Sequence, residues 1–290
     1  MQNTFIISLP RSGSTVLTRM LSSRDDVVCL PETFFPHLLD HLSREEWQDR
    51  LWVAALFVAS CSDGSPLTLD EAMECITDSQ EESLRKIAQK VAAKDGRDAD
   101  SIKAAVWKAT RLVGSHTTID KLGGRVVILH RPRLNVYESQ FRVPFGDRNR
   151  NACRFALFAA SYDAAFRHYP AAHTMHVEYA RIPEQIDAIF SWIGSESTQT
   201  ATSTSAVQAT SGQRAWHSQI DKPFHNDDAL KIANLNAAQI RNFNTTSTLL
   251  RLFPVIGTLA RRAADRRTAK ALRDKARSLI KNSNTTLQTP

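Results

Sequence analysis

Phe5-Ile6-Ile7-Ser8-Leu9-Pro10-Arg11-Ser12-Gly13-Ser14-Thr15-Val16 sets an apolar run against a short stretch of small residues, and the rest of the chain is read from that junction. A buried strand that empties into such a loop and then into a helix with Val16, Leu17, Met20 and Leu21 on one face is an anion cradle. Ser12, Gly13 and Ser14 carry little bulk, so their backbone N–H groups can converge on a phosphate at the positive end of the helix that Thr15 opens. A nucleotide loop of the G-x-x-x-x-G-K-[ST] kind fails here at two fixed positions. With Gly13 as its second glycine, Ser8 stands at the first and Ser14 replaces the lysine. An ordinary NTPase is thereby disfavoured.

Outward from the loop, apolar runs at Val27 to Leu30, Ala104 to Trp107, Val126 to Leu129 and Thr174 to Tyr179 read as further strands. Helices are expected around Ala152 to His168 and from Pro183 to Ile193, and several more between residues 34 and 100, broken at Pro36, Gly64-Ser65-Pro66 and Lys94-Asp95-Gly96. Strands separated by helices predict an α/β fold: a central parallel sheet with helices on both faces, of the P-loop three-layer type, carrying a helical insert over 34–100 and C-terminal helices. Ligands of such a sheet bind beyond the carboxyl ends of the strands. Arg11, Glu32, Lys108 and Arg131 each fall just after a predicted strand, as one shared site requires.

Read together, these residues resemble the sulfotransferases that use 3'-phosphoadenosine-5'-phosphosulfate (PAPS). Pro10 to Thr15 is similar to that family's 5'-phosphosulfate loop in its arginine form, found in the bacterial, carbohydrate and protein-tyrosine branches. Val126-Val127-Ile128-Leu129-His130-Arg131 through Ser139 is similar to its second signature, a strand delivering an arginine and, eight positions later, a serine. Val106-Trp107-Lys108 resembles the short strand ending in lysine. Val177-Glu178-Tyr179 to Pro183, followed by Ile189 to Gly194, resembles the late strand and helix. The likeness runs over roughly residues 3 to 220 and departs from the pattern at Ser8 and at Pro132, which directly follows Arg131.

The resemblance implies an enzyme that moves a sulfonate from PAPS to a hydroxyl or amine of a small acceptor, leaving 3',5'-ADP (PAP), with no metal. It implies Glu32 as general base, with Arg11 and Lys108 neutralising charge on the sulfonate and the departing phosphate. Cofactor contacts would come from Arg11, Ser12, Gly13, Ser14, Thr15 and Val16 at the 5' side, from Arg131 and Ser139 at the 3'-phosphate, and from Arg142 at the same phosphate or the adenine. Arg133 is the alternative to Arg131 if the register slips. Arg214 and Trp216 resemble the segment that closes over the nucleotide. His37, His41 and His116 are alternative bases, although the histidine that the cytosolic small-molecule branch places after its lysine strand is missing from Ala109-Thr110-Arg111. A phosphoryl-transferring relative, or a non-catalytic nucleotide-binding one, would share the fold and the cradle.

Length and composition agree with one enzyme domain over 1–290: the 290 residues are 42% hydrophobic, enough for a substantial core. The few residues before the first strand leave no room for a signal peptide, and Cys29, Cys61, Cys75 and Cys153 form no C-x-x-C pair. Both features predict a soluble, cytoplasmic chain with reduced thiols and no zinc. The net charge of +7 is concentrated in one place, for Arg251 to Lys281 carries ten basic and two acidic residues. That basic segment, 245–282, is expected to dock on its own domain through Leu252, Ile256, Leu259 and Ala263. A membrane surface, an acidic partner or a second copy remains open as its contact. No nucleic-acid module accompanies it.

Residues 195–213 are low in complexity and read as a slack loop or a flap. The 34–100 insert would build the acceptor pocket, with Phe34, Phe35, His37 and Trp47 as candidate walls. Its fourteen acidic residues against seven basic ones predict a neutral or cationic acceptor.

Overall fold

Alternate residues along a strand point to opposite faces of a sheet, and here both sets are apolar, so both faces must be covered. The computed structural model describes residues 1–62, 64–110, 116–141, 150–196 and 228–286. Its five strands, β1 (Gln2–Ser8), β2 (Val27–Leu30), β3 (Ala104–Lys108), β4 (Arg125–His130) and β5 (Thr174–Glu178), form one sheet in the order β2-β3-β1-β4-β5. Every pairing is parallel, with β1 in the centre between β3 (Ile6 opposite Lys108) and β4 (Ser8 opposite Leu129). The expected α/β architecture is therefore present, and the strands fall within a residue or two of their predicted bounds.

One face of the sheet, carrying Ile6, Cys29, Val106, Val127 and Val177, packs on α1 (Ser14–Leu21) and α10 (Ile182–Ile193). The other, carrying Phe5, Ile7, Leu30, Trp107 and Ile128, is covered by the insert. That insert folds as α2 (Phe35–Leu39), α3 (Arg44–Gln48), α4 (Arg50–Ser60), α5 (Leu69–Cys75) and α6 (Gln80–Lys94). Ser43 with Glu46 and Thr68 with Glu71 form capping boxes that start α3 and α5. Next come α7 (His116–Lys121), α8 (Arg133–Phe141) and α9 (Ala152–Phe166), and finally α11 (Asp228–Ile232), α12 (Ala237–Leu252) and α13 (Pro254–Thr286).

The C-terminal segment departs from the sequence expectation. Pro254 cannot continue α12 and instead opens α13, so Leu252 and Ile256 lie on different helices. Leu252, Ile256, Leu259 and Ala263 are all exposed. The helix docks against α9 and α4 through a different face, which includes Gly257, Ala269, Leu272 and Ala276. At Gly257 an added Cβ would stand 2.9 Å from the Ala160 carbonyl oxygen, so glycine is what lets α13 lie on the α9 backbone. No described helix is long and apolar enough to cross a membrane.

Candidate active site

The tips of β1 to β4 carry the four residues that the sequence singled out. Beyond β1 the chain turns sharply, with Arg11 in the left-handed region at φ 74° and Gly13 at φ 94° capping α1. Gly13 has no substitute, because a Cβ there would sit 2.3 Å from the ring carbons of Tyr179. Ser12 and Ser14 are buried, Thr15 and Val16 half-buried. The tight loop thus brings α1's N-terminal N–H groups to the carboxyl edge of the sheet.

Lys108 ends β3 with its ammonium buried, 2.8 Å from the Thr15 hydroxyl and 3.6 Å from the Glu32 carboxylate. Glu32 follows β2 on a segment pinned from two sides: Thr33 N–H donates to the Lys108 carbonyl, and Ser62 N–H to the Glu32 carbonyl. Its side chain keeps 17% of its exposure, so the carboxylate sits at the mouth of the cleft while the lysine beneath it is sealed off.

The guanidinium of Arg11 donates from Nε to Ser139 Oγ at 3.3 Å. Arg131 donates from Nη1 to the Arg11 carbonyl oxygen at 3.3 Å and stacks over the Tyr179 ring at 4.1 Å. Its Nε donates to Asp228 at 2.8 Å. Burial first, and then the neighbouring charge of Arg131, lower the pKa of Arg11. Asp228 balances the Arg131 charge in this arrangement.

The two candidate arginines point in different directions: Arg133 pairs with Asp163 on α9, while Arg131 faces the loop. Arg142, Arg214 and Trp216 lie outside the described residues, as does nearly all of 195–213 and the side chain of His116. Two candidate pocket walls belong instead to the core. Phe35 is fully buried edge-on to Phe57, and Trp47 is buried with its indole N–H on the Thr77 carbonyl, so neither offers a surface to a ligand. Phe34 is buried at the start of α2.

His37 lines a cavity of about 930 Å³ together with residues of α9 and α13, and burial pushes its pKa down to about 4. That cavity is rich in arginine and lysine. Much of the insert's acidity is already paired: Glu46 with Arg273, Glu71 with Lys94, and Glu74 with Lys90. Tyr179 and Asp228 were not singled out as site residues; for Tyr179 the signal was its place at the end of a strand of the same sheet.

The sequence profile of the sulfotransferase family matches residues 3–255. The chain belongs to the sulfotransferase family. Among solved structures it is similar to the sulfotransferase domain of the Synechococcus PCC 7002 olefin synthase, at 17% identity and a TM-score of 0.45, over 87% of this chain and 94% of that one. It is also similar to the sulfotransferase domain of the curacin biosynthetic pathway, at 13% identity and a TM-score of 0.36, over 83% and 98%. No curated protein matches. In this sulfotransferase, the two family motifs quoted from the sequence are the loop at β1 and the β4–α8 junction, and Arg11 touches both.

Proposed function

We propose that this sulfotransferase transfers the sulfonate of PAPS to a hydroxyl or amine of a small acceptor, with Glu32 as general base. The observation that carries the reading is Arg11, bonded through its side chain to Ser139 and through its carbonyl to Arg131, so that loop and second signature converge on one point. These residues fit a donor with anionic groups at both ends: Ser12 to Val16 and Lys108 for the 5' end, Arg131 and Ser139 for the 3'-phosphate. When bound, PAPS supplies an activated sulfuryl group whose S–O bond to the 5'-phosphate breaks as the acceptor's bond to sulfur forms. The Glu32 carboxylate takes the acceptor proton at the cleft mouth. Lys108, held by Thr15, would neutralise the negative charge that gathers on the departing phosphate oxygen.

The Lys108–Thr15 contact also weighs against phosphoryl transfer. Thr15 occupies the place of the serine or threonine that holds magnesium in P-loop NTPases, and here its hydroxyl accepts from a fixed ammonium. Calorimetry tests the reading. Micromolar 3',5'-ADP binding that outcompetes ATP with magnesium, followed by radiolabelled sulfonate transfer from PAPS in a screen of alcohols, phenols and amines, is the expected result. Preference for ATP would overturn it.

A further inference from the structure

The cavity beside α2 lies outside the cleft of Arg11, Glu32 and Lys108, and the sulfuryl-transfer reading does not use it. It runs between α9 and a single face of α13, from Thr258 to Arg277, roughly 28 Å at the α-helical rise. Its volume of about 930 Å³ is at the upper end of small-molecule sites. Ala164 and Ala165 of α9 and Ala269 of α13 give it an apolar wall.

The charge along this cavity is unbalanced. Arg261 is paired with Asp265, Arg273 with Glu46, and Arg277 with Asp274. Arg262, Arg266 and Lys270 also line it, are exposed, and make no ion pair among the described residues. They recur every fourth residue, so their Cα atoms climb one edge of α13 in steps of about 6 Å. A row of like charges beside an apolar wall repels itself, and a concave setting focuses its field. An anion relieves that repulsion, while an apolar body covers the alanine wall.

We propose that this groove is a binding site for an amphipathic anion, an elongated apolar molecule bearing a carboxylate or phosphate head that lies against Arg262, Arg266 and Lys270. The site would stand even if sulfuryl transfer were disproved, because titration with 3',5'-ADP tests the other cleft separately.

The test is calorimetric titration of the full chain with 12-hydroxydodecanoate, 12-hydroxydodecyl phosphate and the neutral 1,12-dodecanediol. At least one of the two anions is expected to bind ten-fold or more tightly than the diol, and the tighter of them names the head group. In the triple variant Arg262→Ala, Arg266→Ala, Lys270→Ala that anion should lose at least ten-fold in affinity. Diol binding and the melting temperature should stay close to those of the parent chain. Anions bound no better than the diol, no anion binding, or a triple variant that binds them as the parent does would each overturn the proposal.

Discussion

Tyr179 occupies the space that a side chain on Gly13 would fill: its ring carbons lie 2.3 Å from the position of an added Cβ. The same ring carries the Arg131 guanidinium at 4.1 Å, so the first loop and the second signature meet on one aromatic surface. Gly13→Ala should therefore do more than strain a residue at φ 94°. We expect a loss of roughly 1–3 kcal/mol of stability from the backbone alone, together with weaker 3',5'-ADP binding as Tyr179 and Arg131 are pushed aside. Thermal melts and calorimetry on the same preparation check both; a variant with parental nucleotide affinity would break the link between ring and arginine.

Glu32 and Lys108 should separate chemistry from binding. Glu32→Gln is expected to lower kcat by about 10²- to 10⁴-fold, the usual range for a lost general base, with 3',5'-ADP affinity nearly unchanged. Lys108→Ala should lower kcat and also weaken the nucleotide, because its ammonium stands on Thr15. A fully active Glu32→Gln enzyme would move the base elsewhere.

Arg131 and Arg133 are two residues apart and make opposite predictions. Arg131→Ala should weaken 3',5'-ADP by roughly ten- to a hundred-fold, the scale of a lost charge-assisted hydrogen bond, while adenosine 5'-monophosphate loses little. Arg133→Ala breaks the contact with Asp163 and should leave nucleotide affinity alone. The reverse pattern in titrations would restore the slipped register.

His37 makes the fold sensitive to acid. Its folded pKa is depressed by burial to about 4, against 6.5 when exposed, so on acidification the unfolded chain takes up this proton first. Stability therefore falls as pH drops from about 6.5 to 4, by about 3 kcal/mol over the window if the shift is fully expressed. His37→Leu should flatten that part of a plot of melting temperature against pH, whereas an unchanged slope would assign the acid sensitivity to other groups.

Most of the sheet was legible because short apolar runs, Phe5 to Ile7 in β1, Ala104 to Trp107 in β3 and Val126 to Leu129 in β4, are too short for helices and are separated by turn or helix signals. The tight turn after β1 was legible because Ser12-Gly13-Ser14 carries only small side chains and a glycine at φ 94°. Spacing alone could not decide between Arg131 and Arg133, for it does not say which way a side chain leaves the first turn of α8. The C-terminal reading failed on physical grounds as well. The face of α13 that docks is rich in glycine and alanine, which carry little hydrophobic signal, and the apolar residues that do carry it were left outside. The aromatic residues of α2 and α3 misled because a ring packed in a core and a ring lining a pocket share the same helical spacing.

The placement of β1 bears on how the protein is made. Its hydrogen-bonding partners begin at Ala104 on one side and Arg125 on the other, roughly a hundred residues downstream. Once synthesised, β1 must wait for about a hundred further residues before both its edges are satisfied, which makes this a slow, non-local assembly. Until then its apolar residues have no sheet to enter and are open to chaperones and to self-association. The loop from Pro10 to Ser14 hangs from that same strand, so it stays unsupported in any nascent chain stalled before residue 125.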